Sequence, residues 1–265
     1  MRASVLESRR LSMMNSITVE ICVDSIASAI AAERGGAHRI EVCSNLAEGG
    51  TTPSAGLIES VRKKIRASVY VLVRPRPGDF CYSQDEFESM KRDVLLAKQL
   101  GVDGIVFGIL KDDGRVDVKR TCCLVEMAKP LGTTFHRAFD MSADFNRALE
   151  DIIDVGIDRI LTSGGEQSAE DGAATIARLV SLAQERVTVM IGGGIRETNV
   201  RRLLAETKAR EIHANLATSV PGPMRHRNDK IALGAIKGRE YHRVVVPEDR
   251  VRQLVEAAAG SASSR

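Results

Sequence analysis

Two short segments near the start of the chain each place a carboxylate two residues before a thiol, as Glu20-Ile21-Cys22 and Glu41-Val42-Cys43. Successive side chains of a β-strand point to opposite faces, so the acid and the thiol of each segment share a face. Burying acids and thiols on a strand face costs free energy unless these groups bind a partner or a ligand there. The repeat therefore predicts a functional site, although two core cysteines beside neutralised acids would give the same pattern.

Thiols on two neighbouring strands could share a metal ion, because adjacent strands lie about 4.8 Å apart. Soft thiolates select Cu(I), zinc or iron–sulfur clusters, and a pair without compact zinc-site spacing suits Cu(I) best. Cys22 and Cys43 are therefore the predicted metal ligands, and a disulfide between them is the competing outcome. His136 and His213 could complete a zinc site or serve as hydrogen-bonded core residues.

Proton transfer is a second chemistry that these residues could perform. Two carboxylates brought together raise the pKa of one of them towards neutrality, which suits a general acid or base. If Glu20 and Glu41 lie near His136, the three residues are candidates for catalysis.

Glycine-rich segments and arginines indicate an anion site. Gly192-Gly193-Gly194 and Ser163-Gly164-Gly165 each follow a predicted strand, where backbone N–H groups can cradle an anion. Nearby arginines suit carboxylate or phosphate binding, or could instead neutralise the two glutamates. The ligand would be a small phosphorylated or carboxylated metabolite. The predicted ligand-binding residues are Arg74, Arg76, Arg137, Ser163, Gly193, Gly194 and His213.

Short β-branched runs alternate with longer amphipathic segments, which is typical of repeated βα units. We predict strands near 17–23, 38–43, 69–74, 103–107, 133–137, 158–162, 187–191 and 211–214. Helices are predicted at about 25–34, 54–65, 84–100, 118–129, 143–155, 169–184 and 197–206, with an eighth after Pro247. The pairs Ser83–Glu86 and Ser168–Asp171 are expected to cap two of them. The 265-residue length suits a single-domain TIM (β/α)8 barrel of the α/β class, with an open doubly wound sheet as the alternative.

Side-chain alternation sorts the strand residues of such a barrel into two sets. Outward positions pack on helices and should be apolar, which assigns Ile21, Val23, Ile40, Val42, Val71, Val73, Ile212 and Ala214 to the outside. The inward set is then Glu20, Cys22, Glu41, Cys43, Arg74, His136 and His213, near the strand ends where barrel enzymes carry their active sites. Because interior layers come from alternate strands, the two sulfurs could lie at different heights.

Segment composition sets further expectations. We expect a flexible extension at 1–16, the barrel at 17–259 and a disordered tail at 260–265. No apolar run reaches the roughly 18 to 20 residues of a membrane span, and residues 1–16 lack the apolar core of a secretory signal. Five cysteines without framework spacing favour reduced thiols in the cytoplasm, and in a eukaryote the nucleus as well. Cys81, Cys122 and Cys123 are expected to be structural.

Charge and aromatic content bear on the partners. The net charge is +3, and residues 217–246 hold six Lys or Arg against two acids, which fits a small anion or a solvated surface. With Tyr 3, Phe 6 and Trp 0, there is little aromatic surface to interleave with basic groups. We therefore expect no nucleic-acid partner, no membrane partner and no nucleotide cofactor.

Several motifs resemble the CutC family, which is named for copper homeostasis. They span about residues 17–246 and comprise Glu20-Ile21-Cys22, Arg39-Ile40-Glu41-Val42-Cys43, Glu48-Gly49-Gly50-Thr51-Thr52-Pro53-Ser54, Arg74-Pro75-Arg76, Gly78-Asp79-Phe80-Cys81-Tyr82-Ser83, Thr134-Phe135-His136-Arg137-Ala138-Phe139-Asp140, Leu161-Thr162-Ser163-Gly164 and Met224-Arg225-His226-Arg227-Asn228. The resemblance implies a TIM barrel, a cytoplasmic homo-oligomer, a deep pocket at the strand C-termini and Cu(I) binding at Cys22 and Cys43. We thus expect a cytosolic copper homeostasis protein. The alternative is a TIM-barrel enzyme that acts on a small phosphorylated or carboxylated metabolite by acid–base chemistry.

Overall fold

Eight parallel strands close into a barrel in which each strand pairs with its sequence neighbours and β8 pairs with β1. This computed structural model describes residues 17–228, 230–233 and 238–260. The strands are β1 Thr18–Val23, β2 Arg39–Val42, β3 Ser68–Leu72, β4 Gly104–Phe107, β5 Gly132–Phe135, β6 Arg159–Thr162, β7 Thr188–Ile191 and β8 Glu211–Ala214. The predicted TIM barrel is confirmed and the open-sheet alternative is wrong. The expected extension at 1–16 and residues 261–265 of the expected tail lie outside the described residues.

Helices alternate with these strands and wrap the barrel. In the described part of the chain they are α1 Ile26–Arg34, α2 Ala55–Lys64, α3 Gln84–Gln99, α4 Val118–Ala128, α5 Phe145–Val155, α6 Ala173–Ala183, α7 Val200–Thr207 and α8 Glu248–Ala259. Short 3-10 helices cover Leu46–Glu48 and Arg137–Met141. Among the described helices, none is both long and apolar enough to cross a membrane.

Local signals explain where most helices begin, and one prediction needs correction. Ser83 and Glu86 form the predicted capping box at the start of α3. The Asp171 N–H does donate to Ser168 Oγ at 3.2 Å, but α6 begins only at Ala173. Gly172 lies so close to the loop after β6 that an added Cβ would lie 1.9 Å from the Ser163 carbonyl oxygen. The Ser168–Asp171 pair therefore closes a turn ahead of the helix.

A two-stranded antiparallel sheet was not predicted. Its strands are β9 Thr218–Pro221 and β10 His242–Val245, and both lie within the basic segment between β8 and α8. Residues 229 and 234–237 of that segment lie outside the described residues. The sheet is exposed and adds a small appendage next to the carboxyl end of β8.

The main apolar core lies between the strands and the helices, as the outward set requires. All eight residues predicted to face outward are at most 1 % exposed and belong to one cluster with helix residues such as Leu124 and Leu203. The alternation of side chains along each strand thus gave the correct outward face.

The amino end of the barrel interior is filled by a charged layer around Tyr70. The guanidinium groups of Arg39 and Arg159 lie 5.0 and 5.4 Å from its ring centre, and both donate to Glu211 at 2.6 Å. Gly104 and Gly132 leave room for the ring, since an added Cβ there would lie 2.2 and 2.1 Å from atoms of Tyr70. This layer closes the barrel beneath the site.

Candidate functional site

A cavity of about 490 Å³ opens at the carboxyl ends of the strands. It is lined by nine of the residues predicted for catalysis, metal binding or ligand binding: Cys22, Glu41, Cys43, Arg74, His136, Arg137, Gly193, Gly194 and His213. Glu20, Arg76 and Ser163, which belonged to the same predictions, do not line it. The cavity thus gathers side chains from loops and strands around the barrel.

Both repeated thiols face the barrel interior, but at different levels. In the pairing of β1 with β2, Cys22 is level with Glu41, so Cys43 lies two residues further towards the cavity mouth. The two cysteines belong to one small interior cluster with Tyr70, Leu72 and Val106. The inward orientation that the alternation predicts is observed, and the offset follows from the register of the strands.

A group of possible metal ligands forms around Cys22. Its sulfur, an oxygen of Glu41 and a ring nitrogen of His213 lie within 4.8 Å of one another. The Cys43 thiol donates to Glu41 Oε2 at 3.3 Å, so it adjoins this group through the carboxylate. Burial raises the pKa of both the Cys22 and the Cys43 thiol, and the nearby carboxylate of Glu41 raises each further. At Cys22 the charge and the hydrogen bond of His213 act against this rise in pKa, whereas no described group opposes it at Cys43.

Glu20 lies beneath this group and is fully buried. It accepts a hydrogen bond from His213 Nδ1 at 2.7 Å and another from Arg39 Nε. Burial alone would raise its pKa, but the charges of Arg39 and His213 lower it to about 2. Arg39, and not one of the three predicted arginines, neutralises this glutamate. Glu20 is therefore ionised at neutral pH and anchors His213.

Glu41 differs from Glu20 in the direction of its pKa shift. Burial raises its pKa, the positive charge of His213 opposes that effect, and the charge of Glu20 adds to it. Its Oε2 lies 3.9 Å from His213 Nε2. Burial would lower the pKa of His213, yet Cys22 as a thiolate, Glu20 and Glu41 together raise it well above its usual value. The histidine beside the two acids is therefore His213, not His136 as we expected.

His136 follows β5 and caps the 3-10 helix that begins at Arg137. Its Nδ1 accepts a hydrogen bond from the Ala138 N–H at 3.1 Å, which leaves the proton on Nε2. Burial, with a contribution from the charge of Arg74, lowers its pKa to about 3. Among the described residues, Nε2 has no hydrogen-bond partner. His136 is thus a neutral donor in the cavity wall and not a general base beside the glutamates.

Arg74 is a buried cation with no acid beside it. Only 6 % of the residue is exposed, and its donors reach the carbonyl oxygens of Glu48, Gly50 and Gly78 at 2.7–3.0 Å. Within the described part of the chain, no carboxylate lies within 4 Å of its guanidinium. Its charge therefore makes the cavity attractive to anions.

Arg76 does not line the cavity, and its guanidinium bonds to other parts of the chain instead. Its guanidinium donates to Glu86 Oε1 at 2.5 Å, to Asp79 Oδ1 at 3.0 Å and to the Cys81 carbonyl at 3.0 Å. It fastens the loop after β3 to the start of α3, so we withdraw it from the anion-binding set.

The loop after β6 already binds a carboxylate of the chain itself, that of Asp140. Asp140 accepts hydrogen bonds from the N–H groups of Ser163 and Gly165 at 3.1 Å and pairs with Arg137 Nε at 2.7 Å. The backbone donors that we expected to cradle a ligand at Ser163 are therefore occupied. Asp140 was missed because its distance from these glycines along the sequence gave no sign of contact.

The loop after β7 carries unused donors. Gly193 and Gly194 have φ values of 97° and 72°, and among the described residues no protein acceptor receives their N–H groups. Arg196, which we did not predict as a site residue, lines the cavity beside them and donates through Nη1 to the carbonyls of Ile195 and Asn215. An arginine two residues after a glycine run was the available signal for it.

The other three cysteines lie away from the cavity. Cys81 and Cys122 are exposed, Cys123 is half-buried, and all three are free, as Cys22 and Cys43 are. Cys122 and Cys123 lie side by side on α4. They provide thiols against which the two interior cysteines can be compared.

Known proteins are similar to this chain over most of its length. The model of the CutC family matches residues 17–218. The chain is 44 % identical over 250 residues to the copper homeostasis protein cutC homolog of Homo sapiens, covering 94 % of this chain and 92 % of the relative. It is 46 % identical over 239 residues to a CutC family protein of Chromobacterium violaceum, covering 90 % and 97 %.

Solved structures give the same picture of the fold. A CutC structure from Streptococcus agalactiae superposes with a TM-score of 0.72 at 31 % identity, covering 74 % of this chain and 97 % of that one. A thiamine phosphate pyrophosphorylase from Pyrococcus furiosus superposes with a TM-score of 0.58 at 16 % identity over 94 % and 98 % of the chains. At that identity the second match shows a shared barrel only.

Proposed function

This chain belongs to the CutC family, and we propose that it acts in copper homeostasis by binding Cu(I) through Cys22 and Cys43. The observation that carries the proposal is that two free, buried thiols line one cavity and belong to one interior cluster. Thiolates are the protein ligands best matched to Cu(I), a soft ion.

The groups next to the thiols suit the binding of a thiophilic ion. Cu(I) binds thiolates, so any protonated thiol has to give up its proton. Glu41 already accepts the hydrogen bond of Cys43 and can take that proton. His213 lies within ligand distance of Cys22 and offers Nε2 as a third donor after losing its own proton. A disulfide between the cysteines would remove both thiolates, so metal binding and oxidation exclude each other.

Anaerobic Cu(I) titration with a competing chelator tests this proposal. The wild type is expected to bind one Cu(I) more tightly than a Cys22→Ser, Cys43→Ser variant. A Cys122→Ser, Cys123→Ser variant is the matched control, because it removes two thiols outside the cavity and should bind like the wild type. Equal stoichiometry and affinity in wild type and the Cys22, Cys43 variant would eliminate the site.

Two further properties belong to the same proposal. Five free cysteines support a reducing compartment, so we place the protein in the cytoplasm, and in a eukaryote in the nucleus as well. A homo-oligomer is supported by exposed apolar residues beside the β9–β10 sheet, among them Met224, Ile231 and Leu233, which is 86 % exposed. Sedimentation of the wild type and a Leu233→Lys variant tests the oligomer, since a monomeric wild type would contradict it.

A second candidate function is acid–base catalysis on a small anionic metabolite. The observation that favours it is the raised pKa of Glu41 in a cavity that also holds Arg74. In this function Glu41 carries the proton, Glu20 positions His213, and His136 donates through Nε2. Thermal shifts across a panel of phosphorylated and carboxylated metabolites screen for a substrate. No shift with any compound, in wild type and in Glu41→Gln alike, would count against it.

A further inference from the structure

A second binding site is built from the loops that follow β5 and β7, apart from the two thiols. We propose that Arg137, Arg196 and the N–H groups of Gly193 and Gly194 bind the phosphate group of a small phosphate monoester. All four residues line the cavity. This inference does not depend on copper binding, and it narrows the anion of the second candidate function to a phosphate monoester.

Arg137 is held with one nitrogen unused. Its Nε pairs with Asp140 Oδ2 at 2.7 Å, and its Nη2 donates to Ser163 Oγ at 2.5 Å. Nη1 makes no hydrogen bond to another described residue, and it lies 3.7 Å from the position that a Cβ on Gly193 would occupy. Asp140 therefore fixes the guanidinium so that its free end adjoins the glycine loop.

Arg196 also has N–H groups that donate to no described residue. Both hydrogens of Nη1 are directed to carbonyl oxygens, those of Ile195 at 2.7 Å and Asn215 at 3.2 Å. Nε and Nη2 remain, and they form the parallel donor edge of a guanidinium that matches two oxygens of a phosphate. In the described part of the chain, no carboxylate lies within 4 Å of this group.

The chain itself shows what such a loop can hold. Ser163 and Gly165 after β6 direct their N–H groups at the carboxylate of Asp140. Gly193 and Gly194 after β7 have left-handed φ values like Gly164 and Gly165, and successive N–H groups of a turn can form a concave anion site. The loop after β6 binds the carboxylate of Asp140. In the loop after β7, the N–H groups of Gly193 and Gly194 have no acceptor among the described residues.

The charge and the wall of the cavity select the class of anion. Arg74, Arg137, Arg196 and His213 line it, Glu41 is the acid among the lining residues, and Asp140 pairs with Arg137. A phosphate monoester carries nearly two negative charges at neutral pH, which matches the excess better than one carboxylate does. Phe80 and Leu161 supply apolar surface for the organic part. The ligand is therefore a small molecule with one terminal phosphate.

Calorimetric titration with phenyl phosphate, inorganic phosphate and benzoate at constant ionic strength tests the proposal. The metal-free wild type should bind phenyl phosphate more tightly than inorganic phosphate, and benzoate least. Arg196→Gln should weaken phenyl phosphate binding at least about tenfold, and Arg196→Lys by less, because lysine keeps the charge without the parallel edge. Arg186→Gln is the matched control, because Arg186 lies on the opposite end of the barrel, just before β7, paired with Glu150.

The Cys22→Ser, Cys43→Ser variant should bind phenyl phosphate like the wild type, which separates this site from the copper proposal. Equal affinity in wild type and Arg196→Gln, or benzoate binding as tightly as phenyl phosphate, would overturn the proposal. No saturable binding at millimolar concentrations would overturn it too. Should the Arg196 variants unfold, wild-type protein can be treated with phenylglyoxal. Phenyl phosphate should then protect Arg196 from modification, and unprotected labelling would refute the site.

Discussion

His213 Nδ1 and Glu20 Oε1 lie 2.7 Å apart, and this contact determines which edge of the imidazole faces the cavity. With Nδ1 held from below, Nε2 is left 3.9 Å from Glu41 Oε2, on the side of the ring where Cys22 lies. Glu20 in turn is fixed by Arg39, which also pairs with Glu211. A buried chain of alternating charges therefore supports the candidate metal ligands from beneath, and the predictions below follow from it.

Removing the charge of Glu20 should destabilise the protein strongly. In Glu20→Gln, His213 and Arg39 lose a fully buried carboxylate, and we expect the free energy of unfolding to fall by about 3 kcal/mol. Urea denaturation at pH 7.5 measures the change. Glu59→Gln is the control, since Glu59 pairs with Lys63 on the surface and should lose less than about 1 kcal/mol. Equal losses in the two variants would contradict the role of the buried charges.

Adding a side-chain atom next to Tyr70 should also destabilise the protein. Gly104→Ala would place a Cβ 2.2 Å from Tyr70 Cε1, and the ring cannot move aside because Arg39 and Arg159 lie close to it. We expect a loss of about 3 kcal/mol in the free energy of unfolding. Gly56→Ala, with no atom within 4 Å in α2, should be neutral or stabilising by up to about 1 kcal/mol. A Gly104→Ala protein as stable as Gly56→Ala would refute this packing.

Side-chain alternation and turn residues were sufficient to predict the barrel and the inward face of the thiols. Ile21 and Val42 had to pack on helices, which left Cys22 and Cys43 on the other face. The offset between the two thiols was not predictable, because the register of β1 against β2 depends on the closure of the whole barrel.

The partners in buried ion pairs were harder to predict than the strand face on which each side chain lies. We predicted Arg39 only as a strand residue and not as the partner of Glu20. In the structure, Glu20 on β1 lies directly opposite Arg39 on β2. Asp140 and Ser163 are 23 positions apart, and their contact depends on how two loops fold over the barrel end. Sequence indicates which residue types are present at a site, whereas the pairing of buried charges depends on three-dimensional packing.

The stability of the protein should depend on pH through His136. Burial lowers its pKa to about 3 in the folded state, whereas the unfolded residue titrates near about 6.5. Below about pH 6.5 the unfolded chain binds a proton that the folded chain refuses, so this contribution to stability is present above that pH and lost as pH falls. Between pH 7.5 and 5.0 the contribution of His136 to stability should fall by about 2 kcal/mol.

Urea denaturation of wild type and His136→Asn at both pH values checks this prediction. Asparagine keeps an acceptor for the Ala138 N–H, so the variant should retain the local cap but lose less stability between pH 7.5 and 5.0. His242→Asn, which changes an exposed ring, should behave like the wild type. An identical pH dependence in wild type and His136→Asn would show that His136 is not the group responsible.

The two histidines in the cavity should differ sharply in their effect on copper. His213 lies within ligand distance of Cys22, whereas His136 has its Nδ1 committed to the Ala138 N–H and is not part of the group of possible metal ligands. In anaerobic competition titrations, His213→Gln should lower Cu(I) affinity at least about tenfold, and His136→Gln should leave it near the wild-type value. Because Glu20 orients His213, Glu20→Gln protein that remains folded should lose affinity in the same direction. Unchanged affinity in His213→Gln would restrict the Cu(I) ligands to the two sulfurs, and a larger effect from His136→Gln would reverse the assignment.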